Sequence, residues 1–103
     1  MDFINFKIHH KDSFVVVEFK LTREIEPSDL LKINPPDAVK EGFASKGVVI
    51  SGRGPVWLYG FLIHFYHPTK YVGVYDPRLS AAVVVETHTQ DVKIGDLIPV
   101  FLE

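Results

Sequence analysis

The chain has 103 residues, 47% of them hydrophobic and 13% aromatic, which excludes an intrinsically disordered protein and predicts one domain spanning residues 1–103. Eleven basic and 13 acidic residues give a formal net charge of −2, so the chain lacks the net basic balance typical of proteins that bind long nucleic acids. The absence of cysteine excludes disulfide bridges and thiolate metal sites and leaves five histidines as candidate ligands or acid–base groups.

The N-terminal stretch MDFINFKIHHKD alternates polar with apolar residues and lacks the apolar core of a signal peptide. No apolar run in the sequence approaches the length of a membrane span. We therefore expect a soluble, cytoplasmic protein that does not associate with membranes.

Two strands are predicted first, over residues 3–9 and 14–21, where β-branched and aromatic residues are concentrated. Turn-forming residues at 10–13 lie between them and predict an antiparallel hairpin.

A short helix is predicted next, over residues 26–31, with Ser28 or Asp29 as its cap and the proline pair at 35–36 as its end. The polar residues 37–46 are predicted to form a connection.

A βαβ unit follows. Residues 47–50 (GVVI) predict a buried strand, and residues 56–66 predict a helix buried on more than one side, with Pro55 at its first position. Residues 71–75 predict a second strand, parallel to the first and joined to it by a right-handed crossover.

The remainder of the chain predicts two more strands. Residues 81–87 and 97–102 are the strand candidates, and turns at 77–80 and 93–96 precede them. This order of elements predicts an α+β two-layer domain with one mixed sheet, two helices on one face and an apolar second face suited to a dimer.

Ser51, Gly52, Arg53 and Gly54 follow the first strand of the βαβ unit and precede its helix. Glycines allow the backbone to approach a phosphate closely, and an arginine can donate two hydrogen bonds to its oxygens. The N-terminus of a helix also favours an anion. The motif therefore predicts an anion-binding loop, although a tight turn with a surface arginine fits equally well.

Asp76, Pro77 and Arg78 follow the second strand of the unit. Because the carboxyl ends of parallel strands meet on one side, we expect them close to Ser51. A simple type I turn explains the same residues.

Three histidines come later in the chain. His64 is interpreted as a core histidine within the helix, His67 as a residue favoured near a helix C-terminus, and His88 as the end of a strand. Their spacing alone is not that of a metal site.

The predicted helix has a geometrical consequence. From Pro55 to His67 it would rise about 18 Å, which places His67 at the opposite end of the sheet from Arg53 and Asp76. If His67 and Asp76 serve one reaction, two subunits must bring them together, and such a head-to-tail contact can propagate into a filament.

Residues 47–96 resemble a small stand-alone CRISPR-accessory family of type III systems that acts as a ring nuclease. The family's pattern, GVVISGRGPIWL, a Tyr-His pair, VAVYDPRL, a valine run ending in Ser-His or Thr-His and then Gly-Asp, corresponds here to GVVISGRGPVWL, Tyr66-His67, VGVYDPRL, AAVVVETH and Gly95-Asp96. The run between Asp76 and His88 is one residue longer here than in that pattern.

The resemblance implies a ferredoxin-like homodimer that cleaves cyclic tetra-adenylate to linear products with Mn²⁺, the ring lying between two stacked dimers. His67, Asp76 and Arg78 are its implied catalytic residues, and Asp76, His88 and His67 its implied metal ligands. Ser51, Gly52, Arg53, Gly54 and Arg78 would bind the ring.

The sequence is also compatible with two other functions. One is a sensor that binds cyclic oligoadenylate without cutting it, which the anion loop fits equally well. The other is an Mn²⁺-dependent exonuclease that removes 3′ adenylates from RNA, although the acidic charge balance favours this less.

Overall fold

The computed structural model describes residues 3–101 of the chain. Within them it has six strands, one 3-10 helix and one α-helix. In chain order these are β1 (Ile4–His10), β2 (Phe14–Leu21), the 3-10 helix (Pro27–Lys32), β3 (Gly47–Gly52), α1 (Val56–Phe65), β4 (Tyr71–Asp76), β5 (Ala81–Thr87) and β6 (Leu97–Pro99).

All six strands belong to one mixed sheet whose spatial order, β1-β2-β3-β4-β5-β6, equals their order in the chain. The β1–β2, β4–β5 and β5–β6 pairs are antiparallel, whereas β2–β3 and β3–β4 are parallel. The predicted hairpin, parallel pair and α+β class are confirmed, and the ferredoxin-like arrangement is not.

Several strands and helices begin or end at other residues than predicted. Ser51 and Gly52 belong to β3 rather than to a loop, because the parallel ladder with β2 continues as far as the Phe19–Gly52 pair. Pro55 is the N-cap of α1 and lies just outside it. β6 ends at Pro99, so the predicted strand is too long at Val100 and Phe101, and Leu102 lies outside the described residues.

The first helix is of the 3-10 type and begins one residue later than predicted. The prediction of Ser28 or Asp29 as the cap is wrong, because the N-cap is Glu26. Asp29 is the third residue of the helix, and its carboxylate accepts a hydrogen bond from the Glu26 N–H at 2.7 Å. The helix ends at Lys32, before the proline pair.

One face of the sheet packs against α1 and the 3-10 helix to form the main core. Leu58 and Leu62 of α1 are fully buried there against inward-facing residues of the central strands: Val15, Val17, Phe19, Val48, Ile50 and Val72. Val56, Gly60 and His64, four residues apart, form an exposed stripe along α1. The predictions of a core His64 and of a helix buried on more than one side are therefore wrong, because a helix on one face of a sheet keeps one side in solvent.

The second face of the sheet holds a smaller apolar cluster. Val16, Val49 and Ala82 are fully buried there beneath Val100, which follows β6. The Lys11 ammonium donates a hydrogen bond to the Phe101 carbonyl at 3.3 Å, so the chain beyond β6 reaches the β1–β2 turn. The centre of this face is thus covered by the chain itself, and the predicted dimer surface is not confirmed.

The two ends of the sheet hold different candidate residues. We call the side where β2, β3 and β4 finish the carboxyl end, and the side where they begin the amino end. α1 runs from the carboxyl end to the amino end, antiparallel to β3 and β4. Among residues 3–101, no helix is long and apolar enough to cross a membrane.

Candidate functional site

The carboxyl end of the sheet is tightly built around Gly52. A side chain there would collide with the ring and carbonyl of Phe19, so only glycine fits. The Tyr59 hydroxyl of α1 donates a hydrogen bond to the Gly52 carbonyl. These contacts fix the connection from β3 to α1, and Ser51 before it is 6% exposed.

Ser51 and Arg53 line a cavity of about 270 Å³ together with Gly52, Tyr59, Tyr75 and Pro77. Because Pro77 directly follows Asp76, the cavity brings together the two polar motifs that the sequence predicted to be neighbours. Arg53 is exposed and available to a ligand at this end.

Arg53 also lines a larger cavity of about 720 Å³ on its other side, with Gly54, Arg23 and Trp57. This volume is in the range of small-molecule sites. The predicted anion-binding segment thus lies between two cavities, each with room for part of a ligand.

Asp76 and Arg78 form an ion pair across the turn after β4. The Arg78 guanidinium donates to both carboxylate oxygens, and the Arg78 backbone N–H donates to Oδ1 at 2.9 Å. The side-chain hydrogen bond from Arg78, followed by its backbone N–H, holds the pKa of Asp76 below its usual range. Asp76 is therefore ionised at neutral pH, with its charge turned toward an exposed arginine.

His67 lies at the amino end, just beyond α1, as the helix length predicted. Its Nδ1 is 2.6 Å from Oε2 of Glu86 in β5. His88 contacts the same residue from another side, with its Nε2 at 3.0 Å from the His67 carbonyl. The two imidazole rings meet edge to face, with centroids 4.8 Å apart.

Glu86 reaches His67 because of a β-bulge. In the β4–β5 ladder Val84 pairs with Gly73, but Glu86 pairs with Val72, so Val85 is the extra residue. Val72 packs against α1, and a one-residue shift reverses the face on which a strand side chain lies. Without the bulge, Glu86 would lie on the other face of the sheet, away from His67.

Glu86 is not among the site residues that the sequence predicted. The only available signal was a single carboxylate near the end of the otherwise apolar run AAVVVET, two residues before His88. Strict alternation along β5 would have assigned that carboxylate to the wrong face.

The candidate residues therefore form two groups. Ser51, Arg53, Asp76 and Arg78 lie at the carboxyl end. His67, Glu86 and His88 lie at the amino end, because β5 runs antiparallel to β4, with Ala81 opposite Asp76 and Thr87 opposite Tyr71.

Asp76 does not meet the other two predicted Mn²⁺ ligands, His67 and His88, within one chain. Asp76 and His88 are at opposite ends of the sheet, and both oxygens of Asp76 accept hydrogen bonds from Arg78. No group of three or more His, Asp or Glu residues within 3–101 is arranged to hold a metal ion. The described residues of a single chain thus do not fit Mn²⁺.

Comparison with known proteins shows a family and a relative to which the chain is similar. Residues 18–99 match the model of a family described as "CRISPR-associated protein (Cas_csx3)". A protein of Aquifex aeolicus (strain VF5), named "Uncharacterized protein", is 62% identical over 87 residues, covering 84% of this chain and 78% of that protein.

Proposed function

Since the chain belongs to the Cas_csx3 family of CRISPR-associated proteins, as the resemblance over residues 47–96 predicted, we propose that it is a ring nuclease. Its substrate would be cyclic tetra-adenylate, which it would open to linear products. The working unit would be a homodimer that stacks head to tail on a second dimer around the ring.

One observation carries this proposal: the two groups of candidate residues lie at opposite ends of a single sheet. The carboxyl end offers cations and glycine backbone to phosphates, but it holds no histidine among the residues described there. The amino end offers a histidine paired with a carboxylate. A head-to-tail contact between copies would bring the amino end of one against the carboxyl end of the other and assemble a complete site.

The reaction would use the ring's own 2′-hydroxyl. Its oxygen attacks the adjacent phosphorus and forms the P–O2′ bond, while the P–O5′ bond breaks. His67 of the facing copy takes the 2′-hydroxyl proton, the departing 5′-oxygen takes a proton from solvent, and His67 then returns its proton to solvent. The products are a 2′,3′-cyclic phosphate and a 5′-hydroxyl.

Arg78 and the segment from Ser51 to Gly54 would stabilise the negative charge on the phosphate. A guanidinium donates two parallel hydrogen bonds to phosphate oxygens, and preorganised donors of this kind are most effective where charge develops. Asp76 would orient Arg78 through the ion pair across the turn. Mn²⁺ stays a prediction that depends on assembly, and no step above requires it.

The direct test is a single-turnover assay with labelled cyclic tetra-adenylate, with and without Mn²⁺. Linear tetra-adenylate ending in a 2′,3′-cyclic phosphate is the expected first product. Binding without cleavage under both conditions would overturn the proposal in favour of a sensor. Initial products with a 3′-hydroxyl and a 5′-phosphate would overturn the 2′-hydroxyl route.

A competition assay tests the substrate class. The labelled ring is mixed with an excess of RNA carrying a 3′ adenylate tail, and the ring is expected to be cleaved at an unchanged rate. Preferential shortening of the RNA would contradict the proposed substrate.

A further inference from the structure

The contact between His67 and Glu86 carries a role that nothing in the family resemblance assigns. We propose that Glu86 is a positioning residue, which fixes the His67 imidazole in the tautomer protonated at Nδ1 and so leaves Nε2 free to accept a proton. The consequence for catalysis rests on the proposed function of His67, whereas the tautomer does not.

Hydrogen-bond chemistry determines where the proton lies. An ionised carboxylate only accepts hydrogen bonds, so the hydrogen in the 2.6 Å contact must be on Nδ1 of His67. In a neutral imidazole the other nitrogen then carries a lone pair. Glu86 therefore directs the basic atom of His67 away from β5.

The same carboxylate stabilises the charge that forms during the reaction. When Nε2 takes a proton, the imidazole becomes a cation, and a carboxylate in contact with it lowers the energy of that state. The Glu86 side chain is 29% exposed and the His67 side chain 49%, so the pair is partly shielded while Nε2 stays reachable.

His88 supports the arrangement from the backbone. A carbonyl oxygen can only accept, so Nε2–H of His88 donates to the His67 carbonyl at 3.0 Å. Since the His88 ring also packs edge to face on the His67 ring, it restricts rotation of that imidazole. Glu86 in β5 and His88 just after β5 thus hold the His67 ring in one orientation.

The bulge at Val85 contributes to the same arrangement of Glu86 and His67. It interrupts the β4–β5 ladder and places Glu86 on the α1 side, where His67 lies. β-Bulges often reorient a side chain beside a functional site.

Nitrogen-15 NMR of the histidine side chains tests the tautomer in the wild-type protein, without substrate. In an alkaline buffer in which the imidazoles are neutral, we expect His67 to carry its proton on Nδ1. His9 is an internal control, because its Nε2, rather than Nδ1, contacts Glu18 at 2.8 Å. A wild-type His67 protonated on Nε2 would overturn the proposal whether or not the protein cleaves a ring.

Two substitutions connect the tautomer to cleavage. Glu86→Leu removes the acceptor, so His67 should change to the Nε2-protonated form and kcat should fall at least about 10-fold with little change in KM. Glu86→Gln offers an amide that can accept from Nδ1–H or donate to Nδ1 and lacks the charge that stabilises the imidazolium, so it should recover only part of the lost kcat. The signals of His9 should be unchanged in both variants.

His9→Leu is the control, because it removes another partly exposed histidine–carboxylate pair, on β1 and β2. It should leave kcat unchanged. If Glu86→Leu folds and cleaves at the wild-type rate, Glu86 has no positioning role. If the wild-type protein cleaves no ring, the proposed function fails, and the wild-type and Glu86→Leu tautomers still decide whether Glu86 orients His67.

Discussion

Arg78 holds Asp76 with its side chain and its backbone at once, through hydrogen bonds of 3.0 and 3.3 Å from the guanidinium and 2.9 Å from the N–H. Because the Arg78 side chain is 87% exposed, the ion pair contributes little to stability. Its effect is to orient the Arg78 guanidinium close to Pro77, which lines the cavity together with Ser51 and Arg53. Changes at this pair should therefore affect catalysis and leave the fold intact.

Arg78→Gln should lower the single-turnover rate of ring cleavage by about 100-fold or more, because it removes a preorganised donor to the phosphate. Arg78→Lys should be intermediate, since it keeps the charge and loses the two-pronged geometry. The rates are measured at saturating protein, and thermal unfolding of both variants should match the wild type. Wild-type rates for Arg78→Gln would remove Arg78 from the site.

His67→Ala and Asp76→Ala should each abolish cleavage, and mixing the two inactive proteins should restore part of the activity. Each variant contributes the residue that the other lacks, because His67 and Asp76 lie at opposite ends of the sheet. Mixing two preparations of the same variant is the control and should stay inactive. A mixture that stays inactive while it still stacks would contradict a site shared between copies.

Mn²⁺ binding should depend on the ring. Since no three ligands meet within residues 3–101 of one chain, the protein alone should leave the electron paramagnetic resonance signal of aqueous Mn²⁺ unchanged. Adding an uncleavable analogue of cyclic tetra-adenylate should reduce that signal, and should do so much less in Asp76→Ala. Tight Mn²⁺ binding without the ring would show that the site does not need assembly.

Gly47→Ala should destabilise the protein by about 1–3 kcal/mol through overpacking. A side chain at Gly47 would overlap the ring of Tyr71, which lies across it from β4. Gly60→Ala is the matched control, because nothing lies within 4 Å of that position on α1 and alanine favours a helix. Chemical denaturation measures both, and equal stability of the two variants would contradict the predicted contact.

Asp29 should make stability depend on acid pH. The Arg23 side-chain hydrogen bond, followed by the Glu26 N–H, lowers the pKa of Asp29 from its usual 3.8, and the residue is only 6% exposed. A carboxyl whose pKa is lower in the folded state stabilises the fold above the unfolded value, and this stabilisation is lost as pH falls through the folded value.

The measurement compares thermal unfolding of wild type and Asp29→Asn from neutral pH down to about pH 2. The advantage of the wild type should be full above about pH 5 and should disappear in strong acid. Asp91→Asn, at an exposed carboxylate, should follow the wild type throughout. An advantage that does not change with pH would show that Asp29 acts through packing rather than through its charge.

The sequence alone determined the positions of the strands, because β-branched runs such as the one in β3 have few other structures open to them. It also placed His67 far from Asp76, since the rise of a helix is fixed and Pro55 and Pro68 limit its length. The family followed from short motifs that occur in a fixed order, and the match over residues 18–99 confirms it.

Only the tertiary structure decided what surrounds those residues. The bulge at Val85 depends on how β5 registers against β4, and nothing within AAVVVET specifies it, so the contact between Glu86 and His67 was not visible in the sequence. The exposure of His64 and the covering of Val49 by Val100 likewise depend on which surfaces other elements occupy. Local sequence specifies an element through its own steric preferences, whereas a side chain's neighbours come from parts of the chain that only folding brings together.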